Sequence, residues 1–492
     1  MVRHENRPFP FSASAVTGTN RGTRIAQAAV HHDRLSGLAR DAAKEVTEAS
    51  EMHKGPAASL MTHGITSSFG WVIDMNRLTS AFVLLLAMGI TSPDRATAQG
   101  LQPLPAPLAL GDVIRIASER RDEIQAARAR IRAGEARPTI VSALADPMIS
   151  PSLDHLPFML DGADYSVTIE QQIPLSGIRG HRRASASADV DRLRAETGRI
   201  TLDVGIEGAN AYLMLQERRR TTALLDEQIA FARDVVNAAN ARYASGTAPQ
   251  ADVLRAEVEV ARLGAAARAL VGEVRGAEAM LNTSLALDAD SVVPPLAPPA
   301  FTQPVPAWTA IKAALTSRPE LAAGRAEIAR AEADVQVMRD MFRPMATIRT
   351  GPAYTMAEGR GWMAMVGISL PIWRDKLHAG VAEAEAMRVM SQADLRAMTR
   401  MIEGEAAVAV SQLQAARDRQ AAINSDVLPR ARMAIGPAVA SYAAGQLPLV
   451  SVIEAIQALW LVQSDLIAAD TQLGLAWVRL GRALGSYEAI VQ

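Results

Sequence analysis

The chain contains one unit twice, and the two copies stay in register through elements of different period. Gln172-Ile173-Pro174-Leu175 closes one apparent strand and Ser369-Leu370-Pro371-Ile372 closes another. The same spacing pairs Ile114 with Ile311, Arg121 with Arg318, Glu123-Ile124 with Glu320-Leu321, Arg128 with Arg325, Ile131 with Ile328 and His181 with His378. Further along, Arg242-Tyr243-Ala244-Ser245-Gly246 matches Ser441-Tyr442-Ala443-Ala444-Gly445. A helix, a strand pair and two long helices are reused together. Such a unit is far longer than a solenoid repeat and implies a duplicated, pseudo-symmetric architecture.

Composition narrows the class. The 492 residues carry a formal charge of −1, so no global field draws the chain to nucleic acid or acidic lipid. Aromatic residues are scarce at 4%, which leaves a composition favouring helix. There is no cysteine, which excludes disulfides, thiolate metal sites and a lipid-modified N-terminal cysteine.

The N-terminal region holds an export signal in an unusual place. Met75-Asn76-Arg77-Leu78 opens a short basic segment, Ser80 to Ile90 is apolar, and Ala96-Thr97-Ala98 before Gln99 has the small-residue cleavage pattern. The apolar run is too short for a spanning helix, which needs about 20 residues. Residues 75–98 are therefore expected to be a secretory signal peptide and translation to start at Met75. Residues 1–74 lack periodicity and are expected to be disordered if made. His31-His32, His53 and His63 in that stretch show no metal-ligand spacing.

In the mature chain, Leu108 to Arg137 reads as helix and Asp146-Pro147 as its break. Met148 to Leu153 reads as a strand. Tyr165, Val167, Ile169 and Ile173 alternate with Ser166, Thr168, Glu170 and Gln172, giving a strand with one apolar and one wet face. The second copy predicts strands over 345–355 and 362–370 around a polar turn at Ala357 to Gly361, with Tyr354 and Trp362 flanking that turn. Strands of about nine residues with interfacial aromatics suit a tilted membrane barrel. Four strands cannot close one, so several chains must contribute.

Gly180 to Ala244 holds no proline and predicts a helix of about 98 Å. Ala379 to Ala444 carries Pro429 and Gly436-Pro437 and predicts kinks there. Each ends at a Tyr-x-x-Gly turn and reverses into a helix with a heptad-like seam: Leu263, Ala267, Leu270, Val274, Ala277 and Leu281, then Leu466, Leu473, Trp477, Leu480 and Leu484. Pro294-Pro295 to Pro306 reads as the linker, dividing the mature chain into repeats over 99–298 and 299–492.

These features together resemble the TolC family of outer-membrane efflux channels. The resemblance rests on Gln171 to Leu175, Ser369 to Ile372 and the two turns over 242–256 and 441–455. It implies a mainly α fold with a membrane β-barrel: a homotrimer with one twelve-stranded barrel, continued by a long α-helical periplasmic tunnel. It implies as partners a periplasmic adaptor (membrane fusion protein), an inner-membrane RND-type pump and outer-membrane lipid, with no nucleic acid. Asp146-Pro147-Met148 and Leu156-Pro157 resemble the heavy-metal cation branch. Efflux of organic compounds and a soluble coiled-coil scaffold are the competing readings.

The resemblance also implies sites. Gly246 with Asp252, and Gly445 with Leu447, are expected to contact the adaptor at exposed tips. Ser451 and Glu454 fall where family members place two acidic gate residues, so a trimer of this chain would present three charges from Glu454 instead of six. Pro174 and Pro371 mark the strand-to-helix turns. His181 and His378 are expected at the equatorial surface, without further ligands at helical spacing. Met338, Met341, Met345, Met363 and Met365 are expected to pack or face lipid instead of relaying Cu(I). No nucleophile–base pair, phosphate loop or metal-ligand cluster appears, so neither an enzyme nor a cofactor is expected.

Overall fold

The computed structural model describes residues 104–154 and 164–487. The expected leader (1–74), the expected signal peptide (75–98) and Leu156-Pro157 lie outside the described residues. The elements run α1 (Leu110–Arg120), α2 (Asp122–Ser142), β1 (Met148–Asp154), β2 (Asp164–Pro174), α3 (Ile178–Ala244) and α4 (Gln250–Ser284), then α5 (Trp308–Leu315), α6 (Pro319–Asp340), β3 (Met345–Thr355), β4 (Gly359–Ser369), α7 (Arg374–Ala422), α8 (Leu428–Ala443) and α9 (Leu449–Leu484). The second half repeats the first, with α7 and α8 together replacing α3.

The four strands form one antiparallel sheet in the order β1-β2-β3-β4. Register and alternation gather Ile149, Leu153, Tyr165, Val167, Ile169, Ile348, Val366 and Ile368 on one face, all of them exposed. The opposite face carries Ser152, Ser166, Thr168, Glu170 and Arg349, and Ser166 and Thr168 are buried. A sheet that buries hydroxyls and exposes aliphatics is inverted relative to a water-soluble one. Tyr165 stacks on Tyr354 at 4.9 Å near one end of the apolar face. Trp373 stands 75% exposed at the other, just past Pro371.

The turn between β3 and β4 is shorter than the polar run suggests. β4 resumes at Gly359, whose φ of +78° lets the chain reverse within Met356 to Glu358. Trp362 consequently sits opposite Pro352, inside the ladder and not beside the turn.

Helix α3 runs 67 residues without interruption, about 100 Å at 1.5 Å per residue. Its counterpart breaks once, and not where the prolines stand. A single π turn at Ile423 to Val427 separates α7 from α8, while Pro437 lies within unbroken helix. Pro429 cannot donate to the carbonyl four residues back and its ring crowds that carbonyl. The strain is taken up one turn upstream, where the Leu428 N–H reaches the Ile423 carbonyl five residues back.

Short helices α1 and α5 thicken the bundle at mid-height. One core joins Val113, Ile114 and Ala117 to Tyr212, Leu215 and Leu281. The matching core joins Ile311, Leu315 and Leu321 to Ile402, Leu413, Trp477 and Leu480. Among the described residues only α9 is long and apolar enough to cross a bilayer, and its Leu473, Trp477, Val478 and Leu480 are instead buried in these cores.

Candidate functional site at the two hairpin tips

Both hairpins end the same way. At the first tip, Gly246 adopts φ +71°, its N–H reaches the Tyr243 carbonyl at 2.9 Å, and Thr247 N–H reaches the Arg242 carbonyl at 2.9 Å. At the second, Gly445 adopts φ +74°, its N–H reaches Tyr442 at 3.0 Å, and Gln446 N–H reaches Ser441 at 2.9 Å. The six-to-one bond with glycine in the left-handed region is a Schellman stop, which satisfies carbonyls the helix leaves open. Pro249 and Pro448 then immediately precede α4 and α9.

The tips pack against each other. Ala239, Val253 and Ala256 of the first hairpin share one cluster with Tyr442, Leu449, Val452 and Ile456 of the second. Arg242 crosses between them: its guanidinium lies 4.5 Å from the Tyr442 ring centroid and also donates to the Tyr442 carbonyl. A second bridge lies higher, where buried Glu259 of α4 accepts from Gln457 of α9 at 3.0 Å and from Arg262 at 2.5 Å. No local pattern singles out Arg242; the one signal in the sequence is an arginine standing where the other copy has Ser441.

The expected tip residues separate on inspection. Gly246 and Leu447 are exposed, and a Cβ on Gly246 would meet nothing within 4 Å. Gly445 is exposed as well, with Arg242 Nη2 3.6 Å from where its Cβ would be. Asp252 does not belong with them. It is 7% exposed, in the first turn of α4, where the helix dipole favours a carboxylate. Burial raises the Tyr442 phenol, and the Asp252 charge raises it further against the opposing pull of Arg242. Asp252 therefore belongs to the interior between the tips.

Ser451 is half-buried near the start of α9, its N–H bonded to the Pro448 carbonyl at 3.2 Å. Glu454 is exposed one turn on and meets no cation among the described residues. Pro174 ends β2 opposite Met345, and Leu175 N–H reaches the Pro344 carbonyl at 3.3 Å. Pro371 lies between β4 and α7. The two histidines sit at this strand-to-helix junction and not at the equator, because α3 and α7 begin directly below the sheet. His181 Nδ1 lies 2.8 Å from buried Asp340, and His378 meets the Phe342 ring edge-on at 5.1 Å.

An inverted sheet continued by helices that meet at paired tips has known relatives. The profile of the family described as "Outer membrane efflux protein" matches residues 310–486. Over residues 310–486 the chain carries the pattern of the outer membrane efflux proteins. It is 25% identical over 451 residues to the pyoverdine export outer membrane protein OpmQ of Pseudomonas putida, covering 81% of this chain and 92% of that protein. It is likewise 25% identical over 430 residues to the cobalt-zinc-cadmium resistance protein CzcC of Cupriavidus metallidurans, covering 81% and 98%. The solved structure of CusC superposes with TM-score 0.67 at 15% identity, over 77% of this chain and 92% of that one. The outer-membrane channel OprN superposes with TM-score 0.66 at 18% identity, over 77% and 90%. The protein is placed in the outer membrane, extending into the periplasm. Its family and fold are those of channels, not of enzymes.

Proposed function

We propose that the protein is the outer-membrane conduit of a tripartite export system. It acts as a passive homotrimeric channel, to which an adaptor and an RND-type inner-membrane pump deliver heavy-metal cations. The observation that carries this reading is the sheet. Its apolar face is exposed, its polar face holds Glu170 and Arg349, and both β1 and β4 are open edges. Such a sheet satisfies its edges in lipid only by closing with further copies. Three copies of four strands match the barrel implied by the family resemblance.

The energy source lies outside the chain, and the paired tips are the surface through which a partner would act. Exposed Gly246, Gly445 and Leu447 fit adaptor contact, and Glu454 fits a carboxylate ring that favours cations. The likeness to CzcC, and Asp146-Pro147-Met148 entering β1, favour metal cargo. The equally extensive likeness to a pyoverdine exporter favours organic cargo and keeps that reading in the test.

The test is the metal and drug tolerance of a deletion strain, complemented separately from Met75 and from Met1. Metal sensitivity alone, rescued by both versions, supports the cation reading and makes residues 1–74 dispensable. Sensitivity to dyes, detergents or antibiotics instead retains the channel and removes the metal. Rescue from Met1 only overturns the start at Met75.

A further inference from the structure

We propose that Met363 and Met365 form a thioether site for a soft monovalent cation on the inner wall of the barrel. For its physiological meaning this rests on the channel reading above, while its chemistry is independent of it. Strand alternation places Gly359, Gly361, Met363, Met365 and Gly367 on one face of β4. It is the polar face: Met365 is the register partner of Arg349, whereas Val366 is the partner of Ile348 on the apolar side. From Gly359 to Gly367 the two thioethers are therefore the only side chains that β4 itself contributes to that face. The expectation that these methionines pack or face lipid fails here.

Packing does not account for the arrangement. Met363 is 37% exposed and Met365 44% exposed, on a wall that water would fill. A Cβ on Gly361 would meet nothing within 4 Å, and one on Gly367 only Thr347 at an ordinary 3.7 Å. Gly359 alone needs its positive φ. Across the ladder, Gly351 faces Met363, and a Cβ there would run into the Val167 carbonyl. The result is an open stretch of β4 with two sulfur atoms, bordered on β3 by Thr347, Arg349 and Ala353. An apolar side chain gains little by standing in water, so burial does not explain methionine here.

Soft-ligand chemistry does. Thioethers select ions such as Cu(I) over divalent ions that prefer nitrogen or oxygen. Side chains two apart on a strand rise from backbone positions about 6.8 Å apart, and the three rotatable bonds of methionine let two sulfurs converge on one ion. The neighbouring charge does not repel a cation, because Arg349 Nε donates to Glu170 at 2.9 Å. Met148 lies on the same face of the opposite edge strand, in register with Glu170. Among the described residues no group of three or more His, Cys, Asp or Glu is placed to hold a metal ion. Two uncharged ligands bind weakly enough to release, as a transit site requires.

The experiment titrates the purified full chain in detergent with silver nitrate, comparing wild type with the double variant Met363→Leu/Met365→Leu. Leucine keeps the volume and removes the sulfur. The wild type is expected to bind about one more silver ion per chain, with silver–sulfur scattering in the X-ray absorption spectrum of that increment. Zinc sulfate is expected to titrate both proteins alike, and both are expected to run as the same heat-resistant oligomer. Equal silver binding by the two proteins overturns the site. Zinc binding lost together with silver overturns its softness. Because the readout is binding, a deletion strain without a metal phenotype would remove the metal-export reading and leave this result standing.

Discussion

The Arg242 guanidinium lies 4.5 Å from the Tyr442 ring centroid and hydrogen-bonds the Tyr442 carbonyl, so one side chain of the first hairpin clamps the second. A cation held over a partly buried ring is worth about 1–2 kcal/mol. Arg242→Ala should loosen the tips and raise single-channel conductance in planar bilayers. Tyr442→Phe keeps the ring and deletes a buried hydroxyl that has no hydrogen-bond partner, so it should leave conductance unchanged. Equal conductance for wild type and Arg242→Ala would remove the clamp.

The two tip glycines separate conformation from contact. Both have positive φ, so any substitution costs about 1 kcal/mol locally. At Gly246 an alanine has open space around it, and Gly246→Ala should retain most adaptor binding. Gly246→Glu and Gly445→Glu add bulk and charge and should abolish binding measured by surface plasmon resonance against the cognate adaptor. Unimpaired binding by both glutamate variants would sink the tip assignment.

These sites differ in how far the sequence reveals them. Strand faces, long helices and Schellman turns were legible because alternation, missing prolines and Tyr-x-x-Gly act locally and recur in both copies. Pro429 was legible as a break, but the break falls at Ile423 to Val427 because the helix relaxes upstream of the crowded carbonyl. Asp252 reads as a surface residue by type, and only the packing of α4 against Tyr442 buries it. The Arg242 clamp joins residues 200 positions apart, and no local pattern encodes that pairing. The methionine ledge needed the register of β3 and β4 to show which face it occupies.

Glu454 is exposed near the start of α9, one turn past half-buried Ser451, and pairs with no cation among the described residues. If copies bring it around a shared axis, Glu454→Gln should reduce the preference for cations over anions, read as a shift of reversal potential under a potassium chloride gradient. Ser451→Glu should move it the opposite way by adding a second ring. Reversal potentials that do not respond to either change would place these residues away from the pore.

Arg121 and Arg318 occupy equivalent positions and make equivalent bonds, but their surroundings make them unequal. Arg121 binds Glu123 at 2.6 Å and Glu207 at 3.2 Å, both of them about half exposed. Arg318 is 2% exposed and binds Glu320 at 2.8 Å and Glu405 at 3.1 Å. Glu320 further binds Arg482 at 2.8 Å, which reaches Asp203 at 2.6 Å and so ties α6 to α9 and α3. Burial alone would raise the Glu320 carboxyl. Hydrogen bonds from Arg318, its own backbone and Arg482 outweigh burial and bring its pKa down from 4.5 to about 2. A depressed carboxyl stabilises the fold above its unfolded pKa, and that contribution is lost as pH falls through the folded value. Glu320→Gln leaves two arginines short of a buried partner and should cost about 3 kcal/mol near neutral pH. Glu123→Gln at the exposed counterpart should cost less than about 1 kcal/mol. Thermal unfolding followed by circular dichroism between about pH 5 and pH 2 should show the wild type losing its advantage over Glu320→Gln as acid is added. Parallel melting curves for the two proteins across that window would mean that the Glu320 network does not set acid stability.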